Sequence, residues 1–256
     1  MDMSNLPRGS GNHPIPFVVI AANELAASTE FYADLFGWRT HAVTPDLTGA
    51  ETAAGPNMAL RAGLPEDFPS VVPYLGVPDV DAALEQVVTA GGSVELAACD
   101  APTGNRLARF KDPSGTLYGL TNGVAQGAVP YVAMPFGANP KPRPNTICSL
   151  EMYAADGAVA ARFFGDVFGW ATLETMPQFM AFDPGAGICG VFQSHTPGAS
   201  AVAYIYVEDV VAKLAEIEAA GGARMGDPMP VPGLACFGYF KDPSGSSMGL
   251  IGPSPQ

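Results

Sequence analysis

The chain has 256 residues, 48% of them hydrophobic and 14% charged, with 30 Gly, 25 Pro and a formal net charge of −13. A protein with 25 acidic and only 12 basic residues is a poor electrostatic partner for phosphate backbones, so nucleic-acid binding is not expected. The composition suits a folded protein with many short turns, and the length allows one large domain or two ordinary ones; disorder and coiled coil do not fit.

The opening residues, MDMSNLPRGSGNHP, contain no apolar stretch after a basic start, so no signal peptide is expected. No apolar run approaches the ~18 residues that span a bilayer. The expectation is a cytoplasmic protein without a membrane partner. Cys99, Cys148, Cys189 and Cys236 form no CxxC pair and read as reduced, mostly buried thiols.

In chain order, PFVVIAAN (16–23) reads as a strand, and residues 25–36 place Leu25, Phe31, Leu35 and Phe36 on one helical face, with Gly37 at the C-cap position. Asp79 starts a second helix that ends at Gly91-Gly92, and the DPSG of residues 112–115 is a hairpin turn. The pattern then repeats. STEFYADLFGW (28–38) reappears as AARFFGDVFGW (160–170), VPYLGVPDVDAALEQVVTAGG (72–92) as VAYIYVEDVVAKLAEIEAAGG (202–222), and RFKDPSGTLYGL (109–120) as YFKDPSGSSMGL (239–250). Three blocks in one order and nearly constant register establish a tandem duplication of about 130 residues. The expected units are 12–123 and 145–252, joined by a Pro-rich connector at 124–144. TICSLEMYA (146–154) and residues 157–168 supply the second strand–helix start, and Asp209 the fourth helix. The fold class is α+β, with four βαβββ modules that form two curved-sheet cups, whose concave faces are the natural ligand sites. Modules can pair within a half or across halves, and the chain can be a monomer or a homodimer.

An apolar strand, then FY-x-x-x-FGW, then a Y-x-x-V-x-DVDAAL…GG block, then F-x-DP-x-G-x-x-x-x-L resembles the vicinal oxygen chelate (glyoxalase/bleomycin-resistance/dioxygenase) superfamily, and in particular its tandem two-domain bacterial glyoxalase-like members. The resemblance implies metal-ligand positions on the first strand, on the first strand of the second module and near the chain end of each half. Here those positions hold Phe17, Val72 and Gly119, then Ser149, Val202 and Gly249, none of which is a usual ligand. His13, His41 and His195 read as surface or loop residues. No metal and no cofactor are therefore expected.

Strand alternation puts Phe17, Val19, Val72, Tyr74 and Arg109 in the first cup, and Ser149, Glu151, Tyr153, Val202, Tyr204, Tyr206 and Tyr239 in the second. The second set is an aromatic cup with one carboxylate, suited to a planar ligand such as an aromatic or polyketide-like molecule. In that reading Glu151 and Tyr239 are its polar contacts. The alternatives are that the tyrosines are core and Glu151 pairs with Arg162 or Arg224. Three functions follow: metal-free sequestration of a small molecule, proton-transfer catalysis by Glu151 and Tyr239 (an isomerase, lyase or cyclase), or a glyoxalase-type lyase with displaced ligands such as Glu151, Gln193 and His195.

Overall fold

The structure, a computed structural model, describes residues 6–10, 13–123, 141–194 and 201–254. Residues 124–140 of the connector, and His195, lie outside the described residues. The first half runs β1 (Phe17–Ala21), α1 (Leu25–Phe36), β2 (Arg39–Thr44), β3 (Leu47–Glu51), β4 (Asn57–Arg61), β5 (Val71–Gly76), α2 (Val80–Thr89), β6 (Ser93–Asp100), β7 (Arg106–Lys111) and β8 (Leu117–Thr121). The second runs β9 (Thr146–Tyr153), α3 (Gly157–Phe168), β10 (Ala171–Met176), β11 (Phe179–Asp183), β12 (Gly190–Gln193), β13 (Ala201–Tyr206), α4 (Val210–Ala219), β14 (Ala223–Arg224), β15 (Met229–Val231), β16 (Ala235–Lys241) and β17 (Ser247–Gly252).

Each half builds one sheet, ordered β2-β3-β4-β1-β5-β8-β7-β6 and β10-β11-β12-β9-β13-β17-β16-β14, with β15 added on β16. The two modules of a half meet at antiparallel pairs, β1 with β5 and β9 with β13. Modules therefore pair within a half. Local chemistry sets the helix limits: Asp79 and Asp209 cap α2 and α4 by accepting from the amides of Ala82 and Ala212. Gly37 and Gly169 end α1 and α3 in the left-handed conformation, at φ 68° and 66°.

The halves are held together by their helical faces. One hydrophobic core contains residues of both, including Phe31, Tyr32 and Phe110 from the first and Phe164, Phe168 and Phe240 from the second. Phe31 on α1 lies with its ring centroid 6.1 Å from that of Phe240 on β16, and Tyr118 on β8 is edge-on to Phe164 at 5.0 Å. Each buried aromatic side chain contributes roughly 1.5–3 kcal/mol. Polar contacts repeat across the junction with the same symmetry. Trp38 Nε1 donates to the carbonyl of Asn145 (2.6 Å), and Trp170 Nε1 to that of His13 (3.2 Å). Thr116 Oγ1 donates to the carbonyl of Tyr153, and Ser246 Oγ to that of Ala21.

The two DPSG turns break this symmetry. Asp242 Oδ1 accepts from the amides of Ser244 and Ser246, while its Oδ2 accepts from Ser28 Oγ of the other half at 3.1 Å. Asp112 Oδ1 accepts from the amides of Ser114 and Thr116, but Ala160 stands in place of Ser28, and Asp112 Oδ2 is buried without a hydrogen bond. Burial pushes the Asp112 carboxyl up to about 6, against the turn amides that pull it down. The folded state therefore binds this proton more tightly than the unfolded chain, so this contribution to stability is present in full below pH ~4 and is lost as pH rises through about 6. The pH-dependent part is at most about 3 kcal/mol. Asp112→Asn is expected to keep the turn and flatten this dependence. Urea unfolding at pH 5 and pH 7.5 checks it: wild type loses more stability than the variant between the two, and equal losses would contradict the assignment.

Candidate functional site

Strand pairing aligns one row of residues across the concave face of the first sheet: Asn57, Phe17, Tyr74, Gly119 and Arg109, on β4, β1, β5, β8 and β7. The matching row of the second sheet is Ser149, Tyr204, Gly249 and Tyr239, on β9, β13, β17 and β16. In both rows a tyrosine ring lies over the glycine. A Cβ at position 119 would come within 2.3 Å of the Tyr74 ring, and one at 249 within 2.5 Å of the Tyr204 ring. No side chain fits at either place, so the tyrosines occupy the space that a ligating side chain on the last strand would need. Phe17 stacks on Tyr74 at 4.8 Å, and Val72 is fully buried beside it. Among the described residues no three His, Cys, Asp or Glu stand together in a way that could hold an ion. These cups do not fit the divalent metal that the superfamily resemblance implies.

The next row decides which cup is open. Gly76, Thr121 and Leu107 align in the first half, and Tyr206, Ile251 and Phe237 in the second. Leu107 and Thr121 line a cavity of about 800 Å³ in the first cup, together with Phe17, Val19, Tyr74 and Arg109. The larger set packs into a cluster with Cys148, Tyr204 and Ala235, against which Val202 and Tyr239 also rest. The cavity and the cup with more polar groups thus fall in different halves.

In the second cup those polar groups are engaged with one another. The Tyr204 and Tyr239 hydroxyls share a hydrogen bond of 2.7 Å. Burial, then the charge of Glu151, raises both phenols, that of Tyr239 to about 12. Both therefore hold their protons at neutral pH. Ser149 Oγ donates to the carbonyl of Cys189 at 3.3 Å. Arg224, one candidate partner for Glu151, pairs with Glu218 instead (2.6 Å). Tyr153 ends β9 opposite Gln193. The same face also receives the start of the chain: Leu6 packs against Cys189 and Val191, and the Arg8 guanidinium donates to the carbonyl of Gly185.

In the first cup Tyr74 is buried, which raises its phenol, while the nearby charge of Arg109 opposes that rise. The Arg109 guanidinium lies 5.3 Å from the centroid of the Phe68 ring. Asn57, Leu107, Thr121 and the exposed His41 also line the cavity and were not among the residues expected from strand alternation. Leu107 and Thr121 could have been found by setting the repeats side by side, where Phe237 and Ile251 replace them. His41, on the outer strand β2, has no such signal.

Among the described helices none is long and apolar enough to cross a membrane. Over 94% of its length the chain is 26% identical to the "Putative glyoxylase CFP32" of Mycobacterium tuberculosis, covering 95% of that protein. It is 28% identical to the "Anthracycline biosynthesis protein DauV" of Streptomyces sp. strain C5, over 61% of this chain and 60% of that one. Among solved structures it resembles the Mn(II)-bound glyoxalase of Novosphingobium aromaticivorans (TM-score 0.66, 18% identity, 97% of this chain and 83% of that one). It also resembles the 2,3-dioxygenase LapB of Pseudomonas sp. KL28 (TM-score 0.65, 15% identity, 97% and 95%). These two likenesses show the fold. The model of the Glyoxalase/Bleomycin resistance protein/Dioxygenase superfamily matches residues 15–119, within the first half, and the second half repeats the same order of strands and helices.

Proposed function

We propose that this protein binds one planar organic ligand, of the polycyclic aromatic or polyketide class, in its first cup and through side chains alone. The observation that carries this reading is that Leu107 and Thr121 line an open cavity in one half, where their counterparts Phe237 and Ile251 pack with Tyr206 into a cluster in the other. A cavity of about 800 Å³ lies within the range of small-molecule sites. Its floor of stacked Phe17 and Tyr74 offers flat apolar surface with a phenol handle, which suits fused rings. Relatives named for anthracycline biosynthesis point to the same class of molecule.

A second reading, proton transfer by Glu151 and Tyr239, is favoured by the coupling of that carboxylate to the Tyr204–Tyr239 pair. The first reading treats this cluster as a brace across β9, β13 and β16.

Two sets of variants separate the readings. Leu107→Phe with Thr121→Ile copies the second half's own filling into the first cup. It is expected to weaken binding of an anthracycline aglycone, followed by the ligand's fluorescence, at least tenfold, or about 1.4 kcal/mol. Binding equal to wild type would remove the first cup as the site. Glu151→Gln is expected to leave the same affinity within twofold; a large loss there would move the site to the second cup and support the second reading.

A further inference from the structure

We infer that the ligand of the first cup carries an anionic oxygen group, a carboxylate or an acidic phenolate, that pairs with Arg109; this rests on the reading of that cup as the binding site. Arg109 projects from β7 into the cavity, in the same row as Phe17 and Tyr74. Its Nε is buried and meets no hydrogen-bond acceptor. Around it lie the Phe68 ring and the Tyr74 phenol, which soften a cation without neutralising it.

The absence of a carboxylate is informative in this chain. With 25 acidic residues against 12 basic ones, carboxylates are plentiful; several cations pair with them, and exposed Arg143, Arg162 and Lys241 are left to water, whereas Arg109 is half-buried. Arg39 pairs with Glu51, Arg106 with Asp81 and Asp100, and Arg224 with Glu218. Glu51 and Asp100 are the acids of the cavity lining, and both are already held by other arginines. Among the described residues Arg109 forms no ion pair. A half-buried guanidinium without its counter-charge is costly to keep unless something supplies it.

The other half shows what the same position does without a ligand to meet. Tyr239 replaces Arg109 in the repeat, is neutral, and has its hydroxyl bonded to Tyr204 at 2.7 Å. The filled cup carries a neutral group satisfied within the protein, and the open cup a cation left for something else. The planar guanidinium, with its fork of donors, suits the two oxygens of a carboxylate, and a phenolate on a fused ring would present one oxygen in the plane of the stack.

The test compares two fluorescent probes that share an anilinonaphthalene frame and differ by one sulfonate: 8-anilinonaphthalene-1-sulfonate and neutral N-phenyl-1-naphthylamine. On a protein of net charge −13 the anionic probe has no general advantage, so a preference for it needs a local cation. Wild type is expected to bind the sulfonate at least tenfold more tightly than the neutral probe. Arg109→Met should abolish or reverse that preference while still binding the neutral probe, and Arg109→Lys should keep part of it. Both effects should vanish in the filled Leu107→Phe, Thr121→Ile protein. If wild type and Arg109→Met bind the neutral probe alike and show the same preference, the role of Arg109 is overturned while the cup stays a binding site. If neither probe binds wild type, the binding reading fails and this inference with it.

Discussion

The arrangement depends on one junction: the helical faces of the two sheets bury each other. Neither sheet covers its helices alone, and the aromatic residues of α1 and α3 reach into the opposite half. The reciprocal bonds of Trp38 and Trp170 to backbone of the other half fix the register of that packing. The rows of the two cups lie in clusters separate from that core. The cups are therefore separate, and one can change without repacking the core.

That freedom has been used at the level of side-chain size. The row next to the glycines is small in the first half and bulky in the second, on strands that pair in the same way. The innermost row has diverged less, since Tyr74 over Gly119 and Tyr204 over Gly249 repeat one solution. A glycine there is a consequence of the ring beside it, because any side chain would collide with that ring. A ligating side chain at that place and the tyrosine ring exclude each other. The second cup then joins Tyr204, Tyr239 and Glu151 into a network, and the first presents Arg109.

Much of this was legible in the residues. The helix limits at Gly37 and Gly169, the caps Asp79 and Asp209 and the DPSG turns are local chemistry, and local chemistry can be read one segment at a time. The duplication carried the fold, and Trp38 and Trp170, one in each repeat just after the helix, are both buried. The contrast between cups was harder, because it lies in residues that meet only across strands. Tyr204 and Tyr239 look like a rich polar surface in sequence, yet they spend their hydroxyls on each other. Gly76, Thr121 and Leu107 look unremarkable until β5, β8 and β7 bring them together. The arrival of Leu6 and Arg8 on the second half has no sequence signal, since an unpatterned segment does not say where it rests.

The two halves are like scaffolds with unlike cups, the first holding a cavity beside Leu107 and Thr121 and the second packed by Phe237, Ile251 and Tyr206. Isothermal titration with a single fused-ring ligand measures this difference directly, as the number of sites per chain. One site per chain is the predicted result. Two equivalent sites, or one that survives filling the first cup, would contradict the account.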